Sequence, residues 1–338
     1  MAETLKALGE FGLIRRIRAL LKSEGAEPSF DLTVDIGDDA AAFKSRPGFE
    51  ILATCDSVVE GRHYLPQFMR PRDVGRRAMV LNISDIGAMG GRPRYALISL
   101  GLRGEISTED VEELYRGFFE ALNPFGAVII GGNITATANE MFIDITLIGE
   151  VKKGCVVRRS GARRGDAILV TGCPGESNAG MQCLLRGLVP ADHPLVAAYI
   201  RPSHRAREGA AVAESGRATS MIDTSDGFLG DLGHLCEESG AGAELIQERF
   251  PVSKTLGDAA ALLRESPDEL FLGTSDDYEL IITCRPEHLE GIRAAVALTY
   301  GGPLSEVGRI TEPGRGVCLK LRDGTKKTLS PEGWDHFR

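Results

Sequence analysis

The stretch VLNISDIGAMGG, residues 80–91, decides the interpretation of the chain because it places one carboxylate inside an apolar run. Across residues 73–89, apolar side chains recur at 74, 78, 81, 86 and 89, a period that predicts a helix. A charged Asp85 in such a helix is costly unless it is paired or binds a cation. We therefore interpret Asp85 as a functional residue, with a helix cap as the alternative.

Strand and helix signals alternate on both sides of this segment, which predicts an α/β or α+β fold. Ser107 followed by Asp110 resembles a capping box and predicts a helix start. The strands are predicted at residues 50–59, 95–102, 127–130, 141–151, 167–171, 218–223 and 278–284. The helices are predicted at residues 11–21, 73–89 and 107–122, near 259, and from 177, 225 and 287.

The length of 338 residues suggests two domains. A basic, glycine-containing stretch, VKKGCVVRRSGARRGD at residues 151–166, is typical of a junction. We therefore predict an N-terminal domain over residues 1–150 and a C-terminal domain over residues 151–338.

The composition excludes several classes of protein. With 39 Lys and Arg against 48 Asp and Glu, the net charge is -9, which argues against a nucleic-acid partner. The seven cysteines are odd in number and none has C-x-x-C spacing, which argues against a disulfide framework. No signal-peptide core and no apolar run of about 20 residues occurs, so we expect a cytoplasmic protein with no membrane partner.

Further acids stand beside strands and turns. Because Mg²⁺ takes hard oxygen ligands and often bridges carboxylates to phosphates, several such acids suggest a nucleotide site with several cations. For each motif a surface turn or a cap stays the alternative. The motifs are DIGDD with Asp38 and Asp39, EILATCD with Asp56, MIDTSDGF with Asp223 and Asp226, and GTSDDYEL with Asp276 and Asp277.

Other residues are weaker candidates. The pair Gly131–Gly132 before Asn133 could approach a phosphate or form a hairpin. Arg158 and Arg159 could clamp phosphate or be solvated. No P-loop and no protein-kinase signature occurs.

Taken together, these segments resemble the thiamine-monophosphate kinase family of the AIR-synthase-like superfamily, nearly from end to end. The resemblance is carried by GEFGLIRRI, DIGDDAA, ATCDSVVEGRHY, VLNISDIGAMGG, VIIGGN, VVRRSGARRGDAILVTGCPGES, IDTSDGFLGDLGHL, DDYEL and GWDHF. It implies an N-terminal sheet domain that forms a dimer β-barrel, a C-terminal α/β domain, and ATP with several Mg²⁺ ions in the cleft. The implied reaction is direct in-line transfer of the γ-phosphoryl group of ATP to thiamine monophosphate, in a homodimer.

The resemblance also implies residue roles. It assigns Mg²⁺ ligands at Asp39, Thr54, Cys55, Asp56, Asp85, Asn133, Asp223 and Asp226. It assigns nucleotide contacts at Gly132, Arg159 and Ser225, and substrate contacts at His63, Asp276 and Trp334. Asp85 and Asp226 would be the catalytic residues, and a monovalent cation stays open.

Three departures from the family pattern bear on these roles. Asn133 replaces an acid of GGD, and Cys55 replaces the Thr of S-T-D, so we expect one weakened cation subsite shared by both positions. Asp276 replaces a longer Glu, which shortens its reach. Two alternatives therefore stay open: a related ATP-dependent enzyme with another small substrate, and a nucleotide-binding protein with little turnover.

Overall fold

The computed structural model describes residues 5–25, 31–36, 40–331, 333 and 334. The chain divides into two compact units. The N-terminal unit consists of Met1–Ile86 and Arg92–Lys153, and the C-terminal unit consists of Gly87–Gly91 and Gly154–Arg338. The main division follows Lys153, within the basic stretch that suggests a junction.

The N-terminal unit is built on a four-stranded sheet in the order β3-β6-β4-β5. β6 is antiparallel to β3 and to β4, whereas β5 is parallel to β4. The strands are β1 (Leu32–Val34), β2 (Ala42–Phe43), β3 (Phe49–Val59), β4 (Arg92–Leu102), β5 (Val128–Ala136) and β6 (Phe142–Lys152). The helices are α1 (Leu5–Leu8), α2 (Glu10–Ser23), α3 (Pro71–Ala88) and α4 (Thr108–Leu122), the last followed by a 3-10 turn at Asn123–Phe125.

Helices α3 and α4 of this unit cross at two glycines. A Cβ atom on Gly75 would lie 2.1 Å from the carbonyl oxygen of Leu114, and one on Gly117 would lie 2.1 Å from that of Arg72. The predicted start of α4 is confirmed, since the Ser107 side chain accepts a hydrogen bond of 3.0 Å from the backbone N–H of Asp110.

The C-terminal unit is built on a seven-stranded sheet in the order β13-β12-β9-β11-β7-β10-β8. Only the pairing of β12 with β9 is parallel. The strands are β7 (Ala167–Thr171), β8 (Ala218–Asp223), β9 (Gly242–Ile246), β10 (Leu280–Cys284), β11 (Leu304–Thr311), β12 (Val317–Lys320) and β13 (Lys326–Leu329). The helices are α5 (Glu176–Leu185), α6 (Ala197–Ile200), α7 (Ala206–Ser215), α8 (Phe228–Glu238), α9 (Lys254–Leu263), α10 (Pro267–Leu272) and α11 (Leu289–Ala297). 3-10 turns lie at Pro194–Val196, Gln247–Arg249 and Pro286–His288.

Strand β7 of this sheet is buried on both faces. Ile168 and Val170 of β7 pack in one apolar cluster, whereas Leu169 of the same strand packs in a second one. This is why β7 reads as a continuous apolar run rather than an alternating one. Its predicted bounds are confirmed, as are those of β8. The mostly antiparallel sheet makes the protein α+β. Among the described residues no helix is long and apolar enough to cross a membrane.

Candidate functional site

The pleat of β3 separates its predicted metal ligands. Thr54 and Asp56 are half-buried, whereas Cys55 between them is exposed. Successive side chains of a strand point to opposite faces, so the Cys55 thiol lies on the other face from Thr54 and Asp56. There it donates to Asp144 Oδ1 at 3.3 Å. The Asp56 position is also not a strand end, since β3 continues to Val59.

Thr54 and Asp85 are in contact. The Thr54 hydroxyl donates a hydrogen bond to Asp85 Oδ2. This contact joins β3 to the half-buried Asp85 of α3, a pairing across 31 positions that the sequence spacing does not show. It brings two predicted oxygen ligands together and fixes the orientation of the carboxylate.

Of three other predicted residues of this unit, only His63 lies among the described residues. His63 lies in the turn after β3, where its Nδ1 accepts a hydrogen bond of 3.0 Å from the backbone N–H of Val59. Nδ1 is therefore the acceptor nitrogen, which leaves the proton of a neutral ring on Nε2. Asp38 and Asp39 lie outside the described residues.

Gly132 and Asn133 lie within β5, so the alternative of a hairpin at the glycine pair is wrong, and the strand is longer than the predicted residues 127–130. The pairing of β4 with β5 shifts register between Ala96 and Leu97, which marks a bulge just before the glycines. A Cβ atom on Gly132 would lie 1.8 Å from the Ile98 carbonyl oxygen. The strand can continue past the bulge only because this position is glycine.

The sheet order separates Asn133 from Cys55. β3 and β5 are the two edge strands, with β6 and β4 between them. Three strand spacings correspond to about 14 Å. Within one chain, these two side chains therefore cannot belong to a single cation subsite, and our expectation of a shared subsite is wrong for the isolated protomer.

The loop after β8 holds the acids of the C-terminal unit. Asp223 is buried at the end of β8, and Ser225 and Asp226 are half-buried in the loop. The following helix begins at Phe228 with Gly227 as its N-cap, so the predicted helix start at Ser225 and the cap by Ser225 or Asp226 are wrong. The loop needs glycine there, since Gly227 has φ 115°.

A buried acid missed by the sequence analysis holds this loop. Asp231 Oδ2 accepts hydrogen bonds of 3.1 Å from the backbone N–H groups of Asp226 and Gly227. Burial and the neighbouring carboxylates of Asp223 and Asp226 raise the pKa of Asp231 well above its usual value. Asp231 therefore lies near enough to Asp223 and Asp226 for their charges to interact, and its hydrogen bonds hold the loop that carries Asp226.

The DTSDG and DDYEL motifs are hydrogen-bonded to each other. The N–H of Thr224 donates to the Glu279 carbonyl at 2.8 Å, and the N–H of Tyr278 donates to the Thr224 carbonyl at 2.8 Å. Tyr278 has the unusual φ of 55°, which these bonds hold. The Asp226 loop, which follows β8, and Asp276, which precedes β10, therefore lie at the same end of these two strands.

Asp276 and Asp277 receive hydrogen bonds from the start of α5. The Ser177 hydroxyl donates to Asp276 Oδ1 at 2.5 Å. Asp277 accepts from the backbone N–H groups of Gly175 at 2.6 Å and Ser177 at 2.9 Å. Burial nevertheless raises the pKa of Asp277 to about 7. The side chain of Asp276, which is shorter than the Glu of the family pattern, is therefore hydrogen-bonded at the N-terminus of α5.

Trp334 lies against the Asp226 loop. Its backbone N–H donates to the Asp226 carbonyl at 3.2 Å, and its side chain is 50% exposed. A large exposed aromatic ring next to predicted cation ligands fits a stacking role. Arg159 is also exposed, and its carbonyl accepts a hydrogen bond of 3.1 Å from Ser239.

An ion pair in the same unit was also missed. Arg205 Nε donates to Glu279 Oε2 at 2.7 Å, and Arg205 Nη2 donates to Tyr300 Oη at 3.1 Å. Both charged side chains are almost fully buried. The two residues lie 74 positions apart, so no local sequence pattern shows that they pair.

The donor set fits Mg²⁺ chemically. Hydroxyl and carboxylate oxygens occur together at Thr54 and Asp85, and the carboxylates of Asp223 and Asp226 lie at the end of β8 and in the loop after it. Within the described ranges, no three His, Cys, Asp or Glu side chains are grouped closely enough to hold a metal ion. Substrate phosphates commonly supply the remaining Mg²⁺ ligands.

Comparisons with known proteins cover nearly the whole chain. The family models for AIR synthase related protein match, the N-terminal domain over residues 37–151 and the C-terminal domain over residues 163–319. The thiamine-monophosphate kinase of Aquifex aeolicus (strain VF5) is 33% identical over 336 residues, which cover 98% of this chain and 99% of that protein.

Solved structures are similar over the same length. The thiamine-monophosphate kinase from Stenotrophomonas maltophilia K279a has a TM-score of 0.81 at 31% identity, over 94% of this chain and 97% of that one. AaThiL complexed with AMPPCP and TMP has a TM-score of 0.75 at 33% identity, over 98% of each chain.

Proposed function

This chain belongs to the thiamine-monophosphate kinase family, and on that premise we propose that it transfers the γ-phosphoryl group of ATP to thiamine monophosphate, giving thiamine diphosphate and ADP. The observation that carries the proposal is similarity over 98% of the chain to a kinase of this name. The local geometry supports it, since predicted ligands meet at Thr54 and Asp85 and around Asp226.

The chain's own residues would position the reactants. Thr54 orients the Asp85 carboxylate, and Asp231 fixes the backbone that carries Ser225 and Asp226. Bound Mg²⁺ would neutralise the phosphates, which is the main requirement of phosphoryl transfer. The acceptor phosphate is already nucleophilic, so no strong general base is needed.

We assign the roles as the resemblance implies them. Mg²⁺ ligands would come from Asp39, Thr54, the backbone of Cys55, Asp56, Asp85, Asn133, Asp223 and Asp226. Nucleotide contacts would come from Gly132, Arg159 and Ser225, and thiamine contacts from His63, Asp276 and Trp334. Asp85 and Asp226 would be the catalytic residues.

A homodimer is part of the proposal. The four-stranded sheet has two edge strands, and its face around Cys55 is exposed, with Ile51 on β3 54% exposed. A barrel closed by β3 of one chain against β5 of its partner would bring Asn133 beside Cys55 across the interface, which the isolated protomer does not do. Light scattering after gel filtration tests the dimer, and a monomer would contradict it. A cytoplasmic location stays a prediction.

An acceptor screen tests the activity. Purified protein with ATP and Mg²⁺ is offered thiamine monophosphate, thiamine and other small phosphates, and ADP and thiamine diphosphate are quantified. We expect thiamine diphosphate in equal amount to ADP with thiamine monophosphate. ADP formed only with another acceptor would indicate a related enzyme, and nucleotide binding without turnover would indicate a binding protein.

A further inference from the structure

The C-terminal tail of the chain packs against α8 and the loop before it. Its described residues are Pro331, Gly333 and Trp334. A Cβ atom on Gly233 of α8 would lie 2.4 Å from Pro331 Cβ, and one on Gly333 would lie 3.6 Å from Gly230 Cα. Gly230 and Gly233 stand three positions apart on the helix and therefore share a face. Glycine at these positions allows the tail to approach the helix closely.

The tail reaches the peptide groups that flank the Asp226 side chain. The Trp334 N–H donates to the Asp226 carbonyl at 3.2 Å, and the Asp226 N–H donates to Asp231 at 3.1 Å. Gly333 adjoins the side chain itself, since a Cβ atom there would lie 3.0 Å from Asp226 Cβ. The backbone is thus held on one side of the Asp226 side chain by α8 and on the other side by the tail.

We propose that the C-terminal tail positions Asp226 for cation binding, so that docking of the tail and binding of Mg²⁺ with nucleotide strengthen each other. The inference rests on the proposed function, in which Asp226 is a Mg²⁺ ligand. Trp334 then has two separable roles, since its ring can stack on thiamine while its backbone N–H holds Asp226. Because linkage is reciprocal, displacing the tail weakens cation binding by the same factor by which the cation holds the tail.

Gly233→Ala displaces the tail without removing a polar group. The added methyl group would lie 2.4 Å from the rigid ring of Pro331, so the tail has to move. Alanine is a better helix former than glycine, so α8 itself stays folded. Gly257→Ala is the matched control, because it is the same substitution in α9 at a position where nothing lies within 4 Å of the added Cβ atom.

The single tryptophan of the chain reports where the tail is. Quenching of Trp334 fluorescence by acrylamide measures how accessible its ring is to a small solute. We expect the quenching constant to rise in Gly233→Ala and to keep the wild-type value in Gly257→Ala. Mg²⁺ with the ATP analogue AMPPCP should lower the constant again in Gly233→Ala. An unchanged constant in Gly233→Ala would show that the tail is not held on α8, which would overturn the proposal.

Calorimetry of AMPPCP with Mg²⁺ measures the effect on the cation site without turnover. We expect Gly233→Ala to bind about fivefold more weakly than the wild type, as for the loss of one hydrogen bond, and Gly257→Ala to bind as the wild type does. The Mg²⁺ concentration needed for half-maximal activity should rise by a similar factor. Unchanged binding in Gly233→Ala with a displaced tail would contradict the proposal.

Trp334→Ala separates the ring from the backbone. This variant keeps the N–H that binds Asp226, so it should raise the KM for thiamine monophosphate and leave the Mg²⁺ requirement unchanged. If the tail served only to carry the ring, Gly233→Ala would give that same pattern, and the proposal would be wrong. The calorimetric comparison needs no acceptor, so it decides the inference even if thiamine monophosphate is not phosphorylated. No binding of AMPPCP by the wild type would contradict the proposed function as well.

Discussion

The acidic residues of the two units differ in whether they hold the backbone. In the N-terminal unit, Thr54 lies on a strand and Asp85 on a helix, and the two side chains bind each other rather than a backbone group. In the C-terminal unit, Asp231 and Asp277 themselves hold the loops, because they accept hydrogen bonds from backbone N–H groups of the loops. An acid that holds no backbone can therefore be changed for function alone, whereas an acid that accepts from the N–H groups of a loop also supports the fold.

The largest expected effect concerns the stability of the C-terminal loops. Arg205→Met leaves the buried Glu279 without its counter-charge, so the free energy of unfolding should fall by about 3–5 kcal/mol. Urea denaturation measures it. Arg249→Met, at a more exposed ion pair with Glu306, is the matched control and should cost less than about 1 kcal/mol. Equal losses would mean that the buried pair does not hold the loops.

Asp85→Asn tests whether an acid of the N-terminal unit can be changed with an effect on function alone. Because the amide still accepts from Thr54 but loses the charge, we expect kcat to fall by at least about 100-fold. The thermal midpoint should change little. Glu105→Gln, an exposed change in the same unit, is the control. Normal turnover in Asp85→Asn would show that Asp85 is structural.

We expect the titration of Asp277 to make the stability of the protein depend on pH. Its pKa is raised to about 7 in the folded protein by burial, against an ordinary value of 3.8, so the folded state binds the extra proton between those values. Its contribution to stability is complete below about pH 4 and is lost as the pH rises to about 7, by up to about 1.4 kcal/mol per pH unit. Urea midpoints of wild type and Asp277→Asn across this range measure it, and parallel curves would contradict it.

Asn133→Asp should have the smallest effect. Restoring a charge at the β5 edge should lower the Mg²⁺ concentration needed for half-maximal activity by roughly 10-fold, because carboxylates bind Mg²⁺ better than amides. Magnesium titration of the activity measures it. Asn139→Asp, the same change at an exposed position between β5 and β6, is the control and should leave the requirement unchanged. An unchanged requirement in Asn133→Asp would remove Asn133 from the cation site.

The sequence predicted much of the fold, because hydrophobic periodicity reports burial. The bounds of β7 and β8 and the cap of α4 at Ser107 follow directly from local pattern. The bulge that keeps Gly132 inside β5 could not be predicted from local pattern, since it depends on the neighbouring Ile98 backbone. Local pattern also could not show that Asp231, and not Ser225, supports the start of α8.

The sequence predicted a set of candidate residues but not their arrangement, and their roles stay a prediction. Thr54 and Asp85 meet across 31 positions, and DTSDG meets DDYEL through backbone hydrogen bonds that no side-chain pattern encodes. The prediction that Asn133 and Cys55 share a cation subsite is wrong for the isolated protomer. Their separation is set by strand order, which is a tertiary property. The ion pair of Arg205 and Glu279 was missed for the same reason.

The transfer of labelled phosphate under single-turnover conditions tests the central claim most directly. Enzyme in excess over [γ-³²P]ATP is mixed with thiamine monophosphate and Mg²⁺, quenched, and separated into protein, nucleotide and thiamine fractions. The account predicts label passing from ATP to thiamine diphosphate with none on the protein, and almost no transfer in Asp85→Asn. Label retained on the protein, or ADP released without labelled thiamine diphosphate, would contradict it.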